Sequence, residues 1–522
     1  MIRHDHRVID CIVIGAGHNG LVTAAYLARA GHSVLVLEAS DRIGGAAISA
    51  EVFPGMGARL SKYSYLVSLL PPSIAEDLEI SVPLARRRVA SYTPDPSDPS
   101  RGLLVPSGDA DGLAARIEAF TGSAEQAQAW QAFYARTEAV AEVLFPSLTQ
   151  PLASRDDVKA QLDESDWHDF VERPLGEVLE RTFDDDVIRG VVLTDGLIGT
   201  FADAHDASLH QNICFLYHVI GQGTGQWDVP VGGMGAITAQ LADRVRAAGG
   251  EIRTGAEVVA IDDDGTCVHV TVREGDEETT HTASTLAANC APAVLDRLRG
   301  RQSESIEVLD AGAQVKVNML LSRLPRLRDE SVDPRDAFSG TFHINEGYAQ
   351  LAEAYRAAEA GALPSPLPAE IYCHSLSDPS ILSEELRAAG VQTLTLFGLH
   401  VPHALFASGQ YTREDVLAAV QATLDSVLVE PIADCLMRDA NGELCIEINT
   451  TSDLERDLRI PTGNIFHTPL SWPWAESEDD VGTWGVETDS PRIVICGSGA
   501  ARGGGVSGIP GHNAARYLTS VL

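Results

Sequence analysis

Basic residues are scarce in this 522-residue chain: 38 Lys and Arg stand against 74 Asp and Glu, a formal net charge of −36. Phosphate-rich partners would be repelled, which argues against nucleic acid or an anionic membrane surface. No run of about 18 apolar residues occurs, so no transmembrane helix is expected and any membrane contact would be peripheral. The N-terminal MIRHDHRVID has no apolar core of a signal peptide. The eight cysteines form no C-x-x-C and no regular spacing, so no dithiol relay is expected and a reducing compartment, the cytosol, is implied. Cys11 and Cys496 fall in predicted buried strands, and Cys373-His374 reads as ordinary core. Repeats, low-complexity segments, catalytic triads and carboxylate pairs are all missing.

What is present begins at the N-terminus. Residues 11–14 form a short apolar, β-branched run, as for a parallel strand buried on both faces. It runs into Gly15-Ala16-Gly17-His18-Asn19-Gly20, a complete G-x-G-x-x-G. Gly15 makes the tight turn, Gly17 lets backbone approach a pyrophosphate, and Gly20 lets the helix pack on the strand. A helix over 21–30 follows, capped by Gly31, then a second strand over 33–37 ending in Glu38. That carboxylate suits a ribose 2′-hydroxyl and disfavours the 2′-phosphate of NADP. No second G-x-G-x-x-G is embedded in a strand–helix pair; Gly221-Gln222-Gly223-Thr224-Gly225 lacks the flanking elements. No separate nicotinamide domain is therefore expected.

After Glu38 comes Ala39-Ser40-Asp41-Arg42-Ile43-Gly44-Gly45, which would return Arg42 and two side-chain-free residues to the pyrophosphate. This pattern resembles the flavoprotein superfamily of amine oxidases, phytoene desaturases and Rab GDP-dissociation inhibitors, and so implies FAD. The runs Gly17-His18-Asn19-Gly20-Leu21 and Ser61-Lys62-Tyr63-Ser64-Tyr65-Leu66, followed by Leu69-Leu70-Pro71-Pro72, narrow the resemblance. They are similar to the phytoene-desaturase-like branch that includes the pyridine nucleotide-disulfide oxidoreductase domain-containing protein 2 group. Many relatives have arginine at Lys62, and lysine keeps the charge without the bidentate geometry.

The length fits about two or three domains. The implied architecture is α/β: a Rossmann-type FAD-binding domain of the glutathione reductase-2/amine oxidase kind, with an α+β substrate domain of mixed sheet plus helices. The FAD domain is expected to be discontinuous, from 1–85, 225–300 and 453–522, with 86–224 and 301–452 binding substrate. Residues 90–220 read as mostly helical, with amphipathic segments over 110–120, 125–143 and 175–181. The dense apolar patch 213–220 either packs in the core or lines a substrate cavity. A helix over 236–248 precedes a strand at 256–261, where the resemblance has the backbone of Val258 contact adenine. Residues 268–272 and 280–285 read as a hairpin. Strands are expected over 314–321, with Lys316 and Asn318 on one face, and over 370–373 and 393–400. Thr412 caps a helix running to 428. His400 and His403, beside Pro402, are read as structural rather than flavin-facing.

A second glycine-rich stretch closes the chain: Gly497-Ser498-Gly499-Ala500-Ala501-Arg502-Gly503-Gly504-Gly505-Val506, after a predicted strand over 492–496 and before a final helix. Helix N-termini attract negative charge, and in the resembled family that charge belongs to the flavin N1/O2 edge. By the resemblance Gly497, Ser498, Gly505 and Val506 join the cofactor set, with Ser498 at the ribityl chain. Relatives usually carry His-Pro where this chain has Ala501-Arg502, and Arg502 is expected to place a cation near the flavin instead. His467 and Lys62 are the candidate catalytic groups beside the flavin.

Hydride transfer to flavin N5 needs mainly a positioned C–H bond. The expected function is FAD-dependent desaturation or dehydrogenation of a small apolar substrate, isoprenoid-like or alicyclic, with O2, a quinone or another acceptor. Alternatives are an amine or amino-acid oxidase, which an aromatic cage would favour, an FAD-dependent cis–trans isomerase, and a GDP-dissociation-inhibitor-like binder of prenylated proteins. The last needs no flavin, and the intact glycine loops count against it.

Overall fold

The computed structural model describes residues 3–223, 225–301 and 311–522, with side chains from Val8 onward. The run 11–14 ends the strand Arg3–Ile14, and Cys11, Ile12 and Val13 are fully buried. Burial on both faces follows from what covers them. Helix His18–Arg29 shares a core with Cys11 and Val13, while Ile12, paired with Leu35 and Leu286, belongs to a separate core on the opposite face. The order in this seven-stranded sheet is 257–263, 268–274, 277–288, 3–14, 34–37 and 251–253, with 493–495 also paired to 277–288. Strand 3–14 is parallel to both neighbours. The expected hairpin is present, with its second strand extended to Glu277–Ala288.

One register row organises the nucleotide end. Ile14 lies opposite Ala288, and Ala288 lies opposite Ile495. The turns that follow these three strands therefore emerge side by side. A glycine loop near each end of the chain is brought to one place by the strand between them.

The second sheet orders its seven strands 446–449, 315–321, 392–398, 369–372, 341–344, 89–95 and 98–106. Its pairings are antiparallel except 341–344 with 89–95. The last two strands correct the helical reading of residues 90–220. Val89–Asp95 and Asp98–Pro106 form a hairpin at the sheet edge. Pro94, Pro99 and Pro106 hide its alternation, but proline is tolerated on edge strands and near strand ends. Helix Arg413–Val427 covers one face of this sheet through Val416, Val420 and Leu424; the other face opens on the cavity described below.

The remaining helices follow their sequence signals closely. Ala110–Thr121, Ala124–Ser147 and Leu175–Thr182 match the amphipathic segments. Thr412 caps its helix through Asp415, whose carboxylate returns a bond to the Thr412 backbone. The apolar patch 213–220 belongs to helix His210–Val219 and serves both expected roles: Ile213, Phe215 and Leu216 are core, while Tyr217 and His218 line the cavity. Among the described residues no helix is long and apolar enough to cross a membrane.

Candidate active site

Three strand ends converge on Asn289, which follows Ala288. Its side-chain amide donates to Gly15 O at 3.2 Å. A Cβ on Gly17 or Gly20 would lie 2.9 Å from the same amide nitrogen, and a Cβ on Gly20 would also lie 2.3 Å from Gly15 O. A Cβ on Gly497 would approach Asn289 Oδ1 to 3.0 Å. Side chains at these glycines would push the three turns apart. The second glycine pair docks on the first loop, Gly44 N donating to Ala16 O at 2.8 Å. Gly44 takes φ +118°, and a Cβ there would meet Ile48 at 2.6 Å. The result is a continuous glycine-lined cradle.

Glu38 is held ready beside it. Its carboxylate accepts from Ala16 N at 2.8 Å and from Ser40 N at 2.9 Å, which fixes its position. The cradle opens into a cavity of about 1240 Å³, larger than the roughly 300–1,000 Å³ of an ordinary ligand pocket. Gly15, Gly17, Glu38, Ala39, Arg42 and Gly45 line it from the N-terminal segment, and Ser498, Gly505 and Val506 from the C-terminal one. Val258 lines it as well. The ladder there shifts register, leaving Val259 unmatched, and such a bulge frees backbone groups for a ligand edge.

Ala16, Asn19, Gly20, Gly44 and Gly497 do not line the cavity. Ala16 and the glycines act by orienting Glu38 and by close packing. Asn19 is 1% exposed, and neither polar atom of its side chain has a partner. The residues present fit FAD: a glycine cradle that admits no Cβ, a pre-oriented carboxylate, and two histidines with unpaired ring nitrogens further along.

These histidines are His18 and His467, both lining the cavity. His18 Nε2 and His467 Nδ1 have no hydrogen-bond partner. Burial pushes the His467 imidazole down to about 4. Burial, and then His467 itself, pushes His18 down to about 4. Both rings are neutral near pH 7, and His467 holds φ +69°.

Lys62 lies elsewhere. It is outside the cavity lining, ion-paired with Glu447 at 3.3 Å. The lysine that reaches the cavity is Lys316, 4% exposed. Its ammonium donates to Ser61 O and Tyr63 O, both at 2.6 Å, and sits 4.9 Å from the Tyr65 ring centroid. Burial drives its pKa well below the ordinary lysine value. The visible signal was Lys316, on one face with Asn318, within the mostly apolar strand Val315–Leu321.

Arg502 corrects a further expectation. Its guanidinium does not line the cavity but turns away, 1% exposed, onto three carbonyls. These are Ser147 O at 3.1 Å, Gln150 O at 2.5 Å and Trp484 O at 2.8 Å. It closes the C-terminal end of helix Ala124–Ser147, where carbonyls lack helical partners. The final helix starts at Ile509, and a Cβ on its N-cap Gly508 would meet Val22 at 3.2 Å. Gly505 and Val506, rather than that helix end, reach the cavity. His400 and His403 also lie outside the lining, as structural histidines would.

The sequence reading placed Lys316 on a strand face but did not assign it, Glu370 or His343 to the site. Lys316 lies opposite Phe397, Phe397 opposite Glu370, and Glu370 opposite His343. One row across four strands thus faces the cavity. Behind it, His343 Nδ1 meets Glu346 Oε2 at 2.6 Å, and Glu346 also accepts from Thr194 at 2.9 Å. A rotation by one residue in any strand would turn these groups into the core.

Residues 20–357 match the flavin containing amine oxidoreductase family, and the chain belongs to that family. It is an FAD-dependent oxidoreductase with an α/β fold. Among its relatives, an uncharacterized protein of Mycobacterium tuberculosis is 50% identical over 536 residues, spanning 100% of this chain and 99% of its own length. Pyridine nucleotide-disulfide oxidoreductase domain-containing protein 2 of Mus musculus is 31% identical over 572 residues, covering 98% of this chain and 93% of its own. The solved structure of cyclohexylamine oxidase from Brevibacterium oxydans IH-35A is similar across 99% of this chain and 100% of that one. Its TM-score is 0.59 at 15% identity, a likeness of fold.

Proposed function

We propose that this protein dehydrogenates a small, largely apolar organic substrate, with O2 or a quinone reoxidising the flavin. The observation that carries the reading is a single cavity running from the glycine cradle into a chamber walled by Trp130, Tyr134, Val191, Ile198 and Phe397. Such walls hold a C–H bond by contact, beside the Lys316, Glu370 and His343 heads that line the same cavity. Bound FAD supplies the hydride acceptor. Gly15, Gly17, Glu38 and Gly45 would hold its adenosine and pyrophosphate, and Ser498, Gly505 and Val506 its flavin half. The neutral imidazole of His467 offers that half a polar contact without a charge. Buried Lys316, fixed by two carbonyls, presents a hydrogen-bonding head at the chamber side. Eight free cysteines suit a reducing compartment such as the cytosol.

A second reading, amine oxidation, is favoured by one observation. Tyr65 and Tyr372 stand 4.8 Å apart by ring centroid, with Phe397 6.0 Å from Tyr65, an aromatic group on the chamber wall. Anaerobic mixing of the yellow holoprotein with terpenoids, alicyclic ketones, fatty acids and primary amines separates the readings. Bleaching by non-amines supports the first, bleaching by amines alone the second. A colourless protein that takes up no added FAD overturns both.

A further inference from the structure

We propose that the chamber ends in a carboxylate-binding subsite held by Arg87, so that the substrate is an apolar body with an acid head. This deepens the proposed function, since it rests on that chamber receiving the substrate.

Arg87 lines the cavity just before strand Val89–Asp95. Its Nε donates to Trp227 O at 3.1 Å, and one terminal nitrogen to Thr341 Oγ1 at 2.8 Å. The other terminal nitrogen has no protein partner among the described residues. None of their carboxylates lies within ion-pair distance of this guanidinium, whereas its neighbour Arg88 is paired with Asp336 at 2.7 Å. Ser91, opposite Thr341 in the ladder, lines the cavity as well. A planar fork with one arm fixed and one free, beside a hydroxyl, suits a carboxylate.

Glu370, Asp195 and Asp228 lie close enough to act on the Arg87 charge, yet none of them pairs with its free arm. Glu370 accepts a hydrogen bond from the Tyr372 hydroxyl. Burial, and next the charge of Glu346, push its carboxyl up to about 8, so near pH 7 it carries a proton it can donate. Glu346 is already served by His343 and Thr194. Burial also raises Asp195 and Asp228. Tyr65 is neutral, and burial raises its pKa well above the ordinary value. Lys316 already spends its head on Ser61 O and Tyr63 O, so the cationic arm left free to meet a ligand here is that of Arg87.

The sign of the pH effect follows. As pH rises through about 8, Glu370 ionises and repels a bound carboxylate. An ammonium ligand would instead gain affinity over the same range. Octanoate, octylamine and 1-octanol titrated into the holoprotein, read by flavin absorbance and by melting temperature, provide the test. Octanoate is expected to bind about tenfold or more tighter than octanol and to lose that margin in Arg87→Met, as for one charge-assisted fork. Arg87→Lys, which keeps the charge without the fork, should fall between. Octanoate binding should weaken above pH 8 in the native protein and weaken less in Glu370→Gln, where Lys316, its pKa lowered by burial, is a titrating group that remains. Retained flavin shows that each variant is folded. Tighter binding of octylamine, native-like octanoate binding by Arg87→Met, or no response to any probe overturns the subsite. Failure of the proposed function has a different signature: octanoate binds, yet no compound of the reduction panel bleaches the flavin.

Discussion

Replacing Arg502 with alanine separates a structural role from an electrostatic one. The side chain is 1% exposed and donates to Ser147, Gln150 and Trp484 carbonyls at 2.5–3.1 Å. Each charge-assisted bond is worth about 1.5–3 kcal/mol. Truncation strands three acceptors, and water entering the space recovers part of the loss. The expected net destabilisation is about 3–5 kcal/mol, as for removing one partner of a buried charged interaction. Arg502→Lys should recover less than half, because one ammonium cannot span three divergent carbonyls. Urea unfolding followed by tryptophan fluorescence measures the stability, and a redox titration of the holoprotein measures the flavin potential. Stability should fall while the potential stays put. A variant as stable as the native protein but shifted in potential would return Arg502 to the flavin and refute the clamp.

Glu38→Gln should weaken FAD binding about 10- to 100-fold, the loss of a charge-assisted bond to a ribose hydroxyl; reconstitution of apoprotein measures it. Anaerobic flavin reduction by whichever substrate the panel identifies should be nearly unchanged in Lys62→Ala, whose amine faces Glu447, and severely slowed in Lys316→Met. The reverse ranking would restore Lys62 to the site. Burial pushes His400 and His374 down to about 3, from 6.5 in the unfolded chain. Below pH 6.5 the unfolded chain binds protons that the folded protein refuses, so stability declines as pH falls, by about 2 kcal/mol per histidine at pH 5. Melting temperatures from pH 7.5 to 5 should drop, and drop less in His400→Asn. A flat profile contradicts the burial argument.

The sequence by itself determined the nucleotide end. A strand, a glycine turn, a helix and a terminal carboxylate are set by neighbours along the chain, so Gly15, Gly17, Glu38 and Gly45 were legible without coordinates. The helices over 110–121, 175–182 and 413–427 were legible for the same reason, since their apolar period and caps are local. The tertiary structure alone decided what depends on strands far apart. Asn289 is a keystone only because Ile14, Ala288 and Ile495 share a register. Lys316, Glu370 and His343 form a row only through pairing across four strands, and each by itself is one polar residue in a short, mostly buried strand. Arg502 was read as a flavin cation because of its place in a glycine loop. Its direction was settled by the end of helix Ala124–Ser147, more than 350 residues away, whose unpaired carbonyls form a stronger site for a guanidinium than an apolar chamber does. Local chemistry writes the turn, while long-range pairing chooses which side chains meet the ligand.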